Sequence, residues 1–283
     1  MYSPPRTDMA PTLAERYAEL KERVATAASR SGRSPEQVLV VAVSKYADMD
    51  QVRELIRLGH QDFGESRALQ LVQRASMVDE MQNRGRTIPS VAAARLGDPF
   101  DLRRRAPAPG EPPEVRWHLI GHLQRNKVKK LIGVARLIHS VDSLRLVEEI
   151  QHIAFKRDEP VEVLVQVNCS GEKSKFGCAV PAALHLCEQI ETTIHIRVRG
   201  LMTMAPYSDN PEDARPTFDR CRELFTEIRR QGVVGPHFNI LSMGMTNDFE
   251  VGIECGSNMV RIGSALFGEH QTIDEHAETE EED

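Results

Sequence analysis

Short apolar runs alternate with longer stretches of helical period along most of this chain. An amphipathic helix is predicted from Leu13 to about Arg30. Val38–Lys45 (VLVVAVSK) then reads as a nearly continuous apolar strand. The following stretch places Met49, Val52, Leu55, Ile56 and Leu58 largely on one helical face, and Gly59 closes it. Asp62–Glu65 and Trp117–Gly121 are further strands, followed by helices at about Arg67–Met81 and Gln124–Ile132. Leu137–Val141 precedes a helix from Ser143 to about Arg157.

The second half keeps the rhythm. Strands are expected at Val161–Asn168, Ile196–Met204, Phe238–Met243 and Met259–Phe267. The helices between them are expected at Ala179–Ile190, Pro211 to about Gln231, and Asp248–Cys255. Eight strand–helix units imply an α/β fold, a single TIM-type (β/α)8 barrel, because alternating elements favour buried parallel strands and eight of them favour closure. An open doubly wound sheet is the alternative. Residues 83–115 break the pattern with six of the sixteen prolines and the run Arg103–Arg105. A loop of this length is either functional or mobile. It is expected to be a mobile insertion on the face opposite the usual active site, with a partner-binding element as the alternative.

Composition narrows the class. Forty per cent hydrophobic residues suffice for a full core. No apolar run approaches the roughly 20 residues that span a bilayer, and the first residues lack the apolar segment of a secretory signal, so no membrane is expected. Five scattered cysteines without a C-x-x-C pair suit a reducing, cytoplasmic protein. The net charge of −6 comes from the end of the chain, where residues 269–283 carry eight acids and no Lys or Arg. That stretch is expected to be a disordered tail, leaving 1–268 as the barrel. The nearly neutral body gives no reason to expect nucleic acid.

Chemistry in parallel barrels gathers at the C-terminal ends of the strands. Leu39, Val41, Val43 and Lys45 share one face of the first strand. If that face points inward, the Lys45 amine sits over the barrel mouth, where desolvation favours the neutral nucleophile toward an aldehyde. The alternative is a surface lysine reaching for water. After the seventh strand, Leu241–Asn247 (LSMGMTN) opens a helix, a geometry that aims backbone N–H groups at an anion. Gly263 and Ser264 after Arg261 would add a close backbone approach and a hydroxyl. Two ordinary strand ends with turn glycines would look the same. His118 and His122 are four apart, but the first lies on a strand, so no metal site is expected. Arg125, Lys127, Lys129 and Lys130 lack interleaved aromatics and read as a solvated helix face.

Eight motifs, AVSK45, FGES66, WHLIGHLQRNK127, IHSVDS143, GEKSKFG177, RGLMTM204, LSMGMTND248 and MVRIGSALFG268, occur in the order that resembles the pyridoxal phosphate homeostasis protein family. That family's fold is similar to the N-terminal barrel of alanine racemase. The resemblance covers about residues 36–268 apart from the insertion. It implies that Lys45 forms an internal aldimine with pyridoxal 5′-phosphate and that Arg261 faces the pyridine nitrogen. It places Ser242, Thr246, Gly263 and Ser264 in the phosphate cradle, with Met243 and Gly244 in the same loop. A permanent cation at the ring nitrogen opposes its protonation and weakens the ring as an electron sink. Ser66 stands where the family usually has Asn, and Arg125 where a small polar residue is common.

The resemblance implies a binding protein that buffers or carries the cofactor, with apo pyridoxal phosphate enzymes as conceivable recipients. A pyridoxal phosphate-dependent amino-acid racemase is the alternative. Racemisation needs a second acid–base group facing Lys45, and in alanine racemase a tyrosine from a second, all-β domain supplies it. No such C-terminal β domain is expected after the eighth strand, and of the tyrosines only Tyr46 and Tyr207 are expected near the mouth. A Schiff-base aldolase would need a lysine on a later strand, where Lys156, Lys173 and Lys175 are poorly placed. Lys173 and Lys175 lie in a polar loop that could cover the mouth as a lid. Without a dimerising domain, a monomer is expected.

Overall fold

The computed structural model describes residues 10–83, 114–172 and 175–268. Helix α1 (Leu13–Arg30) leads into β1 (Leu39–Val43), α2 (Met49–Arg57), β2 (Asp62–Glu65) and α3 (Ala68–Asn83). Next come β3 (Arg116–Leu119), α4 (Val128–Leu131), β4 (Ala135–Val141), α5 (Leu144–Arg157) and β5 (Val161–Asn168). The remainder is β6 (Cys178–Ala179), α6 (Val180–Glu191), β7 (Ile196–Met202), α7 (Arg215–Arg230), β8 (Ile240–Ser242), α8 (Phe249–Glu254), β9 (Met259–Ile262) and α9 (Ser264–Phe267).

Among the described residues every strand pairing is parallel. The ladder runs β4-β3-β2-β1-β9-β8-β7-β5, and a β4–β5 pairing closes it into an eight-stranded barrel. Two-residue β6 attaches to the outer end of β5. The ends of the barrel meet where Leu39, Val40, Val41 and Ala42 of β1 align with Met259, Val260, Arg261 and Ile262 of β9.

Strand alternation divides the apolar residues into two cores. Val40 and Ala42 belong to the large cluster between barrel and helices, whereas Val41 joins Leu137, Leu164, Met202, Ile240 and Met259 in a small cluster inside the barrel. This inner plug contains one residue from each of six strands, as expected of a filled barrel. Local chemistry sets the helix starts. Thr12 accepts from Glu15 N at 3.3 Å while the Glu15 carboxylate accepts from Thr12 N at 2.8 Å, a reciprocal cap. Asp48 and Gln51 repeat the device at α2.

Several boundaries differ from expectation. The eighth apolar run is not one strand: β9 ends at Ile262, and Ser264–Phe267 turns into α9 after Gly263. The predicted helix at 124–132 is a tight 3-10 turn followed by only four α-helical residues, because Gly133 ends it with φ at +92°. The Pro211 helix likewise starts as a 3-10 turn, with Pro216 setting the first turn of α7. The expected insertion at 83–115 falls mostly, and the acidic tail wholly, outside the described residues, as does Lys173.

Candidate functional site

The inward parity of β1 continues past its end. Ser44 turns outward and donates to Glu65 Oε1 at 2.6 Å, so Lys45 regains the inward side at the C-terminal face. There Lys45 lines a cavity of about 320 Å³ together with Val43, Tyr46, Gly263, Ser264 and Phe267. Lys45 Nζ lies 4.5 Å from the centre of the Tyr46 ring, a cation–π contact beside the cavity. Residues 218 positions apart in sequence, Lys45 and Gly263, thus meet because β9 closes against β1.

The loop after β8 flanks the same wall. Thr246 Oγ1 accepts from Gly263 N at 3.4 Å, joining the two loops. Gly244 has φ +99°, and a Cβ there would lie 2.9 Å from Phe249 Cα. Only glycine fits that turn without displacing the start of α8. The Asp248 carboxylate accepts from Met245 N at 2.6 Å and holds the loop closed. Ser264 is exposed and Thr246 half-buried, so their hydroxyls are available to a ligand at the mouth.

Arg261 lies beneath this loop, 3% exposed. It donates through Nη1 to Ser242 Oγ at 2.7 Å and through Nη2 to Thr203 O at 3.0 Å. Burial lowers its pKa to about 10, opposed by the charge of Asp248, so the guanidinium stays cationic at neutral pH. Its backbone N–H donates to Gly244 O at 3.0 Å, which ties the arginine to the loop.

The candidate residues therefore separate by depth. Lys45, Gly263 and Ser264 line the cavity, with Thr246 and Gly244 shaping its edge. Met243 is fully buried in the outer core. Ser242, grouped with the phosphate cradle on sequence, points its hydroxyl into the barrel and holds Arg261. Sequence reasoning missed Thr203 and His139, whose Nδ1 is 3.2 Å from Ser242 Oγ. A signal was present: His139 is a polar residue in an apolar strand, in step with inward-facing Leu137. His118 is also inside the barrel, whereas His122 stacks on Phe176 at 4.6 Å, so the two histidines share no face.

A second cavity of about 330 Å³ lies over the ends of β2 and β3, lined by Ser66, Arg67, Gly121, His122 and Lys127 among others. Ser66 thus faces this cavity rather than the one at Lys45. Lys175 pairs with Glu172 at 2.6 Å in the loop after β5. No helix among the described residues is long and apolar enough to cross a membrane.

The alanine racemase N-terminal domain family matches residues 17–271. A pyridoxal phosphate homeostasis protein of Aquifex aeolicus is 36% identical over 258 residues, covering 91% of this chain and 98% of its own. A crystal structure of a Bifidobacterium adolescentis protein superposes with a TM-score of 0.76 at 31% identity, covering 90% of this chain and 94% of that one. PipY of Synechococcus elongatus, solved with pyridoxal phosphate bound, superposes with a TM-score of 0.67 at 26% identity, covering 91% of this chain and all of PipY. An eight-stranded parallel barrel with a lysine at the end of β1, matched along nearly its whole length, places this chain in the alanine racemase N-terminal domain family, among the pyridoxal phosphate homeostasis proteins.

Proposed function

We propose that the chain binds pyridoxal 5′-phosphate in the cavity between the ends of β1 and β9 and holds it for vitamin B6 homeostasis, as a buffer or carrier. The observation that carries this reading is the convergence of Lys45, Gly263 and Ser264 on one cavity of about 320 Å³. That volume falls within the range of small-molecule sites, roughly 300–1,000 Å³. The donor set suits an aldehyde at one end and a phosphate at the other. PipY supports the same ligand, since it carries pyridoxal phosphate in its solved structure.

In this reading the Lys45 amine would hold the cofactor covalently at its aldehyde end. Ser264, Thr246 and the backbone around Gly263 hold the phosphate, and Gly244 keeps the loop in the turn that brings Thr246 there. Bound in this way, the cofactor supplies a conjugated ring able to accept electrons. The Arg261 guanidinium, if it faced the ring nitrogen as the resemblance implies, would disfavour protonation there and so favour storage over turnover. Tyr46 adjoins Lys45, on the amine's own side, and the exposed Tyr207 hydroxyl donates to Asp209. Neither supplies the opposing acid–base group that racemisation requires. Five free cysteines suit a reducing, cytoplasmic setting.

The test is absorption spectroscopy of the protein with pyridoxal phosphate beside Lys45→Ala, followed by borohydride reduction, mass spectrometry and an amino-acid challenge. A reducible adduct on Lys45 and no turnover is the expected result. An adduct retained in Lys45→Ala would overturn the lysine assignment, and turnover of an amino acid would make the protein an enzyme.

A further inference from the structure

The barrel interior contains a line of polar side chains that starts at the N-terminal end of β2. Asp62, the first residue of β2, is paired with Arg116 at 2.6 and 2.8 Å. Its Oδ1 is 3.2 Å from His118 Nε2. His118 Nδ1 is 3.0 Å from His139 Nε2, and His139 Nδ1 is 3.2 Å from Ser242 Oγ, which receives Arg261. None of these side chains is more than 6% exposed. Five strands, β2, β3, β4, β8 and β9, supply the six residues.

The two ends determine the direction of every proton between them. An ionised carboxylate only accepts and a guanidinium only donates. Asp62 is ionised: burial alone would raise its pKa, but the His118 hydrogen bond and the Arg116 charge outweigh that and hold it at about 2. His118 Nε2 must therefore carry a proton. Burial holds both histidines neutral, against the pull of Asp62 on His118; Arg116 and Arg136 act with burial there, and His118 and Arg261 act with it on His139. Arg136 is itself paired with Glu162 at 2.7 Å. A neutral His118 then accepts at Nδ1 from His139 Nε2–H, and His139 accepts at Nδ1 from the Ser242 hydroxyl. Arg261 donates to that hydroxyl oxygen. All the dipoles point from Arg261 toward Asp62, the arrangement in which each bond strengthens its neighbours.

We propose that Asp62, His118, His139 and Ser242 form one directional hydrogen-bonded relay that fixes the orientation of the Arg261 guanidinium inside the barrel, beneath the loop after β8. These are positioning residues, which touch no ligand and act through Arg261. The relay's effect on ligand rests on the proposed pyridoxal phosphate site; its proton arrangement does not. The relay links a charge at the N-terminal end of the barrel to the Arg261 guanidinium.

Two measurements test this separately. In the unliganded protein, ¹⁵N shifts of labelled histidine should show His118 and His139 neutral and protonated at Nε2; protonation at Nδ1 in either would overturn the relay. With pyridoxal phosphate, Ser242→Ala, His139→Phe and Asp62→Asn should each weaken affinity by roughly tenfold, the scale of one hydrogen bond to a charged group. Each should also shift the pH midpoint of the absorption band in the same direction. The Ser242→Ala/His139→Phe double variant should be no worse than the stronger single one. Wild-type affinity and pH profile in Ser242→Ala, the smallest change, would overturn the proposal, as would simple addition in the double variant. If His139→Phe does not fold, Ser242→Ala alone against Asp62→Asn decides. Failure of the wild-type protein to bind pyridoxal phosphate would instead overturn the site assignment, leaving the histidine spectra to judge the proton arrangement.

Discussion

Arg16 in the first helix donates its Nε proton to the carbonyl of Leu266 in the last, at 2.6 Å. The same helix braces α8, where Arg23 forms a two-bond pair with Glu250 at 2.9 and 3.1 Å. Helix α1, which lies outside the barrel repeat, therefore holds the two short helices that follow β8 and β9. Arg16→Ala should weaken pyridoxal phosphate binding several-fold without touching the ligand, because α9 begins at Ser264 on the cavity wall. Calorimetric titration measures the affinity, and unchanged binding would show that α9 holds its position without the clamp.

Gly244→Ala should lower stability by about 1–3 kcal/mol, since the new side chain meets Phe249 Cα at 2.9 Å in a left-handed backbone. The same change should weaken ligand affinity, as relaxing the turn moves Thr246 away from Gly263. Gly32 has φ +70° and open space around it, so Gly32→Ala controls for backbone strain alone. Thermal unfolding and ligand titration of both variants check this.

Acid should unfold the protein partly through Asp62. Its folded pKa of about 2 lies below the ordinary 3.8, so its contribution is fully present above about pH 4 and is lost as pH falls toward 2. The shift corresponds to about 2 kcal/mol. Asp62→Asn should remove that component of the pH dependence. It should also destabilise the protein at neutral pH, because Arg116 loses its buried partner. Urea unfolding between pH 2 and 7 separates the two effects.

Arg261→Gln should remove the cation while keeping a polar group near Ser242 and Thr203. The absorption band of bound pyridoxal phosphate is expected to move and its pH dependence to change, since the ring nitrogen would be free to protonate. An unaltered band would show that the guanidinium does not face the ring.

Much of the fold was legible because parallel strands buried on both sides read as continuous apolar runs: Val38–Val43 is apolar at every position and contains β1. The run Met259–Phe267 misled for the same reason, as apolar character continues through Gly263 into α9 while the backbone changes direction. The grouping of Lys45 with Gly263 and Ser264 at the candidate site was legible in strand parity and in the turn glycines. The polar line beneath Arg261 was not. Asp62, His118 and His139 lie in separate strands, and only the closed barrel makes them neighbours. Each alone reads as a polar residue in an apolar strand, with nothing local to indicate its partner.

Closure of β9 against β1 also bears on how the protein is made. Lys45 emerges from the ribosome long before Met259–Ile262, so the cavity cannot exist on a nascent chain until the final strand has been synthesised. Contacts of such long sequence separation are slow to form. A ligand that bridges the two ends would bind only the completed barrel and, by mass action, stabilise it against reopening at the β1–β9 seam. Cellular cofactor supply would then set the lifetime of this protein as well as its occupancy.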